Sequence, residues 1–377
     1  MFTEDIFARI ALFVGEMSVL QFFMDAGVLP TTGPIMDLFC RRILIQGQVQ
    51  SGKTAAIMDV LQNPTYRNYR KVLIIQNSLL VLKQYSDRMT NMGIEFQIID
   101  SKTATIHSNI VIVMRNKYRI NSYLSICGDV PFISIIDECD QTALPAFTHK
   151  ALVQYNVTAT PYKRSYKDYF QKVILLPTPD DYFGFNRLNI CQLNISNPNS
   201  HFGHFEDAVN IFIQGTKQSN GMMLINHTIS VQTMHDLSAH LSAQFPGIPI
   251  IVLSSKKTVT LAGFVSKVER GPISRTIDSL NDYPRIIFIA NILSLRGLTY
   301  TSSDFTRHLT HQYSKLRISN NTSMIQRMRI FGRYTKPTNI NIILDSESID
   351  ILPKLIRASS KVISPSNTFE CPLLSSI

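Results

Sequence analysis

Residues 47–54 read GQVQSGKT, and this octapeptide limits what the chain can fold into more than any other stretch. It fits G-x-x-x-x-G-K-[ST] without a mismatch. The glycines let backbone N–H groups turn inward, and a helix starting just after them adds the positive end of its dipole, so such a loop cradles phosphate. The flanks supply the frame that the loop needs. RRILIQ before it reads as a buried strand, and TAAIMDVLQ after it reads as a helix stopped by Asn63-Pro64. Gly47, Gln50, Ser51, Gly52, Lys53 and Thr54 are therefore the expected triphosphate-binding residues. Lys53 is placed to reach the β- and γ-phosphates, and Thr54 to ligate Mg2+.

The rest of the chain repeats the same rhythm. Strand patterns occur at Ile43–Ile45, Val72–Ile75, Phe96–Ile99, Ile110–Val113, Phe132–Ile136, Gln154–Thr158, Met222–Ile225, Ile248–Leu253, Arg285–Ile289 and Ile340–Leu344. Most are β-branched and do not alternate with polar residues, as strands buried on both faces should not. Helical patterns separate many of them, among them Thr54–Leu61, Ser78–Met92 and Ser230–Gln244. Strands alternating with helices predict an α/β fold with parallel sheets. The length of 377 residues suits two domains. Leu176–Phe205, with Pro177, Pro179 and Pro198, breaks the rhythm and reads as the connection between them. The expected layout is a helical extension at 1–40 packed on the first domain, a nucleotide-binding domain at 41–190, a linker at 191–205, a second domain at 206–358 and a flexible tail at 359–377.

A phosphate loop needs an acid at the end of a neighbouring strand. PFISIIDECD (131–140) supplies one: apolar residues run to Ile136, then Asp137 and Glu138 follow. Asp137 is placed as the Mg2+ acid. Glu138 is placed to orient and deprotonate an attacking water.

The net charge is +10, and fourteen Lys and Arg against four Asp and Glu between Ser255 and Ile340 account for all of it. That distribution points to a polyanionic partner, most simply nucleic acid. The five cysteines (40, 127, 139, 191 and 371) show no CxxC spacing, which argues against a disulfide framework or zinc site and fits an intracellular, reducing compartment, cytoplasm or nucleus alike. The apolar stretch Ile6–Leu29 is interrupted by Arg9, Glu16 and Asp25, so it reads as an amphipathic helix and no membrane association is expected.

Taken in order, GQVQSGKT, DECD and VTATP (157–161) resemble the motifs of superfamily two helicases of the DExD-box type. RIIFIANILSLRGLT resembles the fifth motif, with Ala290, Arg296 and Gly297. QRMRIFGR (326–333) resembles the sixth, with Gln326, Gly332 and Arg333 in register. The details are most similar to the Z-one domain group of helicase-like ATPases, through VQSGKT, LSLRG and Gln326…Arg329…Phe331-Gly332. Large DNA viruses and phages carry compact versions, and the low-charge, Ile/Asn-rich composition suits one. The resemblance spans about 40–340. It implies two tandem RecA-like P-loop NTPase domains with the nucleotide cleft between them, and ATP with Mg2+ as the ligands. The implied activity is ATP-driven helicase or translocase action on nucleic acid, DNA before RNA, with a protein partner supplying specificity. It assigns Lys53, Asp137, Glu138, Gln326, Arg329 and Arg333 to catalysis, Arg296 and Gly297 to the nucleotide, and Thr158, Ala159 and Thr160 to coupling.

Two departures from the family pattern matter. Thr299 stands where the fifth motif usually has an acid. Ile330 stands where the sixth motif has its middle arginine, and Arg329 sits one residue earlier, about 100° away if the segment is helical. Two readings outside the helicase class compete: a packaging-type, terminase-like motor ATPase, and an ATP-dependent remodelling scaffold that does not unwind. The pairs His201/His204 and His308/His311 lack companion ligands and read as core or surface histidines. DDYFGF (180–185) reads as a hinge or a nucleotide-pocket segment.

Overall fold

The computed structural model describes residues 42–49, 51–128, 130–139, 151–159, 170, 172–185, 187–197, 199–217, 220–226, 230–253, 260–262, 273–291, 298–317, 321–334 and 339–359. The expected extension at 1–40 and the tail beyond 359 lie outside them, as do Gln50, Thr160, Arg296, Gly297 and much of the basic stretch from Ser255 to Ile340.

The first domain is built on β1 (Arg42–Gln46), β2 (Arg70–Ile75), β3 (Gln97–Ile99), β4 (Ile110–Met114), β5 (Phe132–Asp137), β6 (Ala151–Thr158) and β7 (Lys172–Leu175). These form one sheet in the order β3-β4-β2-β5-β6-β1-β7, and every neighbouring pair is parallel. Parallel strands need crossovers on the faces. Three are α1 (Lys53–Gln62), α2 (Leu79–Asn91) and α3 (Lys117–Cys127). Successive residues of a strand therefore enter different cores. Ile43, Ile45, Leu73 and Ile75 pack with Ile57, Leu61, Val81 and Tyr85 of α1 and α2. Leu44, Val72, Ile74 and Val113 pack with Ile120 and Tyr123 of α3. Ser78 and Asn116 cap α2 and α3, accepting from the N–H of Val81 and Arg119.

The connection carries β8 (Tyr182–Phe183) and β9 (Asn189–Gln192). The second domain follows with β10 (Gly221–Asn226), β11 (Ile250–Leu253), β12 (Thr260–Ala262), β13 (Arg285–Ala290), β14 (His311–Ser314), β15 (Gly332–Arg333) and β16 (Asn341–Leu344). Its helices are α4 (Gly203–Gly215), α5 (Val231–Gln244), α6 (Ile273–Asp278), α7 (Asn321–Arg327) and α8 (Ser346–Ser359). The sheet order is β12-β11-β13-β10-β14-β16-β9, parallel except for β11 with β12. One face packs on α4 and α5 through Phe205, Phe212, Leu237 and Leu241.

All ten expected strands are present. Six further strands, β7, β8, β9, β12, β14 and β15, were not legible as such. β14, with the sequence HQYS, is fully buried between β10 and β16 although three of its four residues are polar. β9 pairs with β16 as an edge of the second sheet. That pairing corrects the expected linker: residues 189–192 already belong to the second sheet, so the crossover lies between β7 and β9 and not at 191–205. Within this crossover β8 pairs antiparallel with β15 in a separate two-stranded sheet.

Candidate functional site

The phosphate loop begins where β1 ends at Gln46. Gly47 N–H donates to the Thr158 carbonyl at 3.3 Å, tying the loop to the end of β6. A Cβ on Gly47 would sit 2.7 Å from Ser51 Oγ and 3.0 Å from Leu176 Cδ1, so the first glycine is required for close approach. Gly52 caps α1 at φ 102°, a left-handed conformation that glycine adopts without strain. Lys53 is buried, and its ammonium donates to the Gln48 carbonyl at 2.6 Å. Ser51 Oγ donates to the same carbonyl at 2.9 Å. The loop is therefore cross-braced at Gln48 by two of its own functional side chains.

The acid pair ends β5. Asp137 is buried, with its Oδ1 accepting from Glu138 N–H at 3.0 Å and its Oδ2 from the Tyr85 hydroxyl at 2.8 Å. The Thr54 side chain is a near neighbour of the Tyr85 hydroxyl. Burial, then the neighbouring Glu138 charge, push the Asp137 carboxyl up to about 6, against the pull of Tyr85, Lys53 and Arg115. Glu138 sits at φ 51°, left-handed and uncommon for a residue with a side chain. Arg115, from the end of β4, holds that turn by donating to the Glu138 carbonyl at 2.9 Å and to the Asp137 carbonyl. Sequence reasoning missed Tyr85 and Arg115. Tyr85 lies in the apolar stripe Val81, Tyr85, Met89 of α2 and reads as core; Arg115 belongs to no motif that was singled out.

The second domain reaches this acid directly. Gln326, in α7, donates from Nε2 to Glu138 Oε2 at 2.9 Å. Just beyond α7, Arg329 is buried at 5% exposure and donates to the Gln326 carbonyl. Its guanidinium lies beside the buried phenols of Tyr182 and Tyr300, where it opposes the upward push that burial gives both. Tyr182 donates to the Val49 carbonyl of the phosphate loop at 2.8 Å, which ties the DDYFGF segment to the loop. Arg333 points elsewhere: its Nε pairs with Asp181 at 2.9 Å, and its side chain is 54% exposed. The helical premise about Arg329 also needs correction, because α7 ends at Arg327 and the one-residue offset is not a turn of helix. Gln312, on the unforeseen β14, grips the chain on both sides of Arg329. It donates to the Arg327 carbonyl at 2.8 Å and accepts from Ile330 N–H at 2.9 Å.

A further contact between the domains runs from Gln84 Nε2 to Thr299 Oγ1 at 3.2 Å, so the residue that replaces the family's acid still meets the first domain. Of the residues expected to serve coupling, the Thr158 carbonyl accepts from Gly47 N–H, and Ala159 packs against the core. Among the described residues of the basic stretch, two arginines are engaged within the second domain. Arg307 is buried with its guanidinium on the Leu280 and Tyr283 carbonyls, and Arg285 is spent on Thr216. No cluster of three His, Cys, Asp or Glu among the described residues is able to hold a metal ion. His311 is buried inside the second domain, and His308 is half-buried against Tyr334.

No family model and no curated protein matches this chain in sequence. Solved structures do match it in fold. Dbp5 of S. cerevisiae, bound to RNA and ADP BeF3, is 16% identical with a TM-score of 0.53, covering 85% of this chain and 84% of that one. The DEAH/RHA helicase HrpB of Escherichia coli is 10% identical with a TM-score of 0.55, covering 84% of this chain and 42% of its own. The helicase Lhr of Mycobacterium smegmatis, bound to ssDNA and AMP-PNP, is 11% identical with a TM-score of 0.51, covering 87% and 47%. The chain thus spans most of the yeast protein and under half of the two bacterial ones. At these identities the likeness is one of fold, and the fold is that of tandem RecA-like helicase domains.

Proposed function

We propose that this chain is an ATP-dependent helicase or translocase, with hydrolysis in the cleft between its two domains driving movement on a nucleic-acid strand. The observation that carries the reading is the hydrogen bond from Gln326 to Glu138. It joins Gln326 of one domain to the proposed base of the other, the arrangement a closure-gated ATPase needs. That the similar folds are seen with RNA or ssDNA together with nucleotide analogues supports it.

In this reading the loop N–H groups and Lys53 bind the phosphates, and Glu138 takes the proton of the attacking water. Arg329 supplies the arginine finger, because it is the buried arginine beside the loop-binding Tyr182. Arg333 serves as a surface strut to Asp181. The Thr54 hydroxyl and Asp137 carboxylate are the hard oxygen donors that fit Mg2+, which would neutralise charge on the phosphates. Arg296, Gly297 and Thr160 complete the site by resemblance alone. DNA is the proposed strand ahead of RNA, the Z-one group the proposed kin, and a protein partner the proposed source of specificity.

The test is directional displacement of a block from labelled single-stranded DNA. Displacement that needs ATP and is lost in Lys53→Ala supports the reading. ATP hydrolysis with no movement on any strand favours the remodelling scaffold instead.

A further inference from the structure

The Tyr85 hydroxyl occupies an unusual place. It donates to Asp137 Oδ2 at 2.8 Å and has the Thr54 side chain as a near neighbour. Glu138 N–H holds the other carboxylate oxygen at 3.0 Å. Each Asp137 oxygen thus has one protein donor and keeps lone pairs to offer elsewhere.

The phenol itself has little freedom. Tyr85 is 5% exposed, in the stripe of α2 that also buries Val81 and Met89. The next residue toward the N-terminus, Gln84, bonds Thr299 of the second domain at 3.2 Å. One helix therefore touches both the acid and the opposite domain.

We infer that Tyr85 is a positioning residue for the divalent-cation subsite, its hydroxyl orienting the Asp137 carboxylate so that it faces the ion. This rests on the ATPase reading and deepens it. Outer partners of metal ligands act by fixing ligand orientation, and losing one commonly costs about 10- to 100-fold in metal affinity. Tyr85→Phe keeps the ring in the core and removes only the hydroxyl that relays this orientation to Asp137.

The experiment is a Mg2+ titration of binding of a fluorescent N-methylanthraniloyl-ATP, read at equilibrium without turnover. In Tyr85→Phe the half-saturating Mg2+ should rise about tenfold or more, while nucleotide affinity in EDTA stays at the wild-type value. An unchanged Mg2+ midpoint overturns the inference. Equal weakening with and without Mg2+ overturns it too, because it would mean a distorted loop. A double variant guards against a purely structural effect. On an Asp137→Ala background the same Tyr85→Phe change should leave the Mg2+ midpoint where Asp137→Ala alone puts it; a further rise of the same size contradicts the relay. If wild type binds no nucleotide, or binds it equally in Lys53→Ala, the ATPase reading fails, and that result is separate from the behaviour of Tyr85.

Discussion

Gln326 of the second domain holds the Glu138 carboxylate of the first through a 2.9 Å hydrogen bond. The acid that would activate water is thus oriented from across the cleft. Two variants should separate its roles. Glu138→Gln should retain nucleotide binding and lose turnover by about 10²- to 10⁴-fold, the usual worth of a positioned base. Gln326→Ala should lower turnover with an affinity change of no more than a few-fold. Loss of binding in Glu138→Gln, measured by equilibrium titration, would mean that Glu138 has a different role.

The two arginines should behave unequally. Arg329→Ala should cost about 10³-fold or more in turnover, the scale of an arginine finger. Arg333→Ala removes only an exposed pair with Asp181, and such pairs are worth about 0–1 kcal/mol, so it should stay within a few-fold of wild type. Steady-state rates on protein with a checked melting temperature decide the matter. The reverse ranking would give the finger to Arg333.

Gln312 braces the segment that carries Arg329. Truncating it to Ala leaves the buried Ile330 N–H without its partner, at about 1–3 kcal/mol, while the Arg327 carbonyl keeps Asn226 at 3.1 Å. The melting temperature should fall by several degrees. Turnover measured well below that temperature should fall more than nucleotide affinity does, since only the finger is released.

His311 makes stability depend on pH. Its ring is buried in β14, with Nδ1 on Thr310 Oγ1 at 3.0 Å and Nε2 on Asn341 at 3.2 Å, and burial lowers its pKa to about 4. Unfolded, the group titrates near the ordinary value of about 6.5. Between these values the unfolded chain binds the proton and the folded chain does not, so stability is present in full above pH ~6.5 and declines as pH falls toward ~4. The full shift corresponds to roughly 3 kcal/mol. Urea midpoints at pH 7 and pH 5 should differ in wild type, and the difference should shrink in His311→Gln. An identical difference in both would assign the acid sensitivity to other groups.

What the sequence made legible follows from how each feature is encoded. The buried parallel strands announce themselves through runs such as IVIVM and FISIID, because burial on both faces favours apolar side chains. β14 is equally buried but is written HQYS; its polar side chains are satisfied inside the fold, by Thr310, Asn341, Arg327 and Ile330, and no local pattern reveals such partners. β9 failed to register for the opposite reason, being a largely exposed edge strand. At the site, Lys53, Asp137 and Glu138 were readable because their spacing within a motif is fixed by local geometry. Tyr85, Arg115, Tyr182 and Gln312 act through contacts between distant segments, so their roles appear only once the chain is folded. The offset of Arg329 was visible in the sequence, but its meaning was not, because it depends on where α7 ends.

The central claim is that this cleft hydrolyses ATP in response to a bound strand. The most direct measurement is the steady-state ATPase rate with saturating single-stranded DNA, single-stranded RNA or duplex, and with none, in wild type and Lys53→Ala. The predicted result is stimulation of wild type by single strands, strongest with DNA, weakening as salt rises, and no turnover in Lys53→Ala. A wild-type rate that no nucleic acid changes, or hydrolysis that survives in Lys53→Ala, would contradict the account.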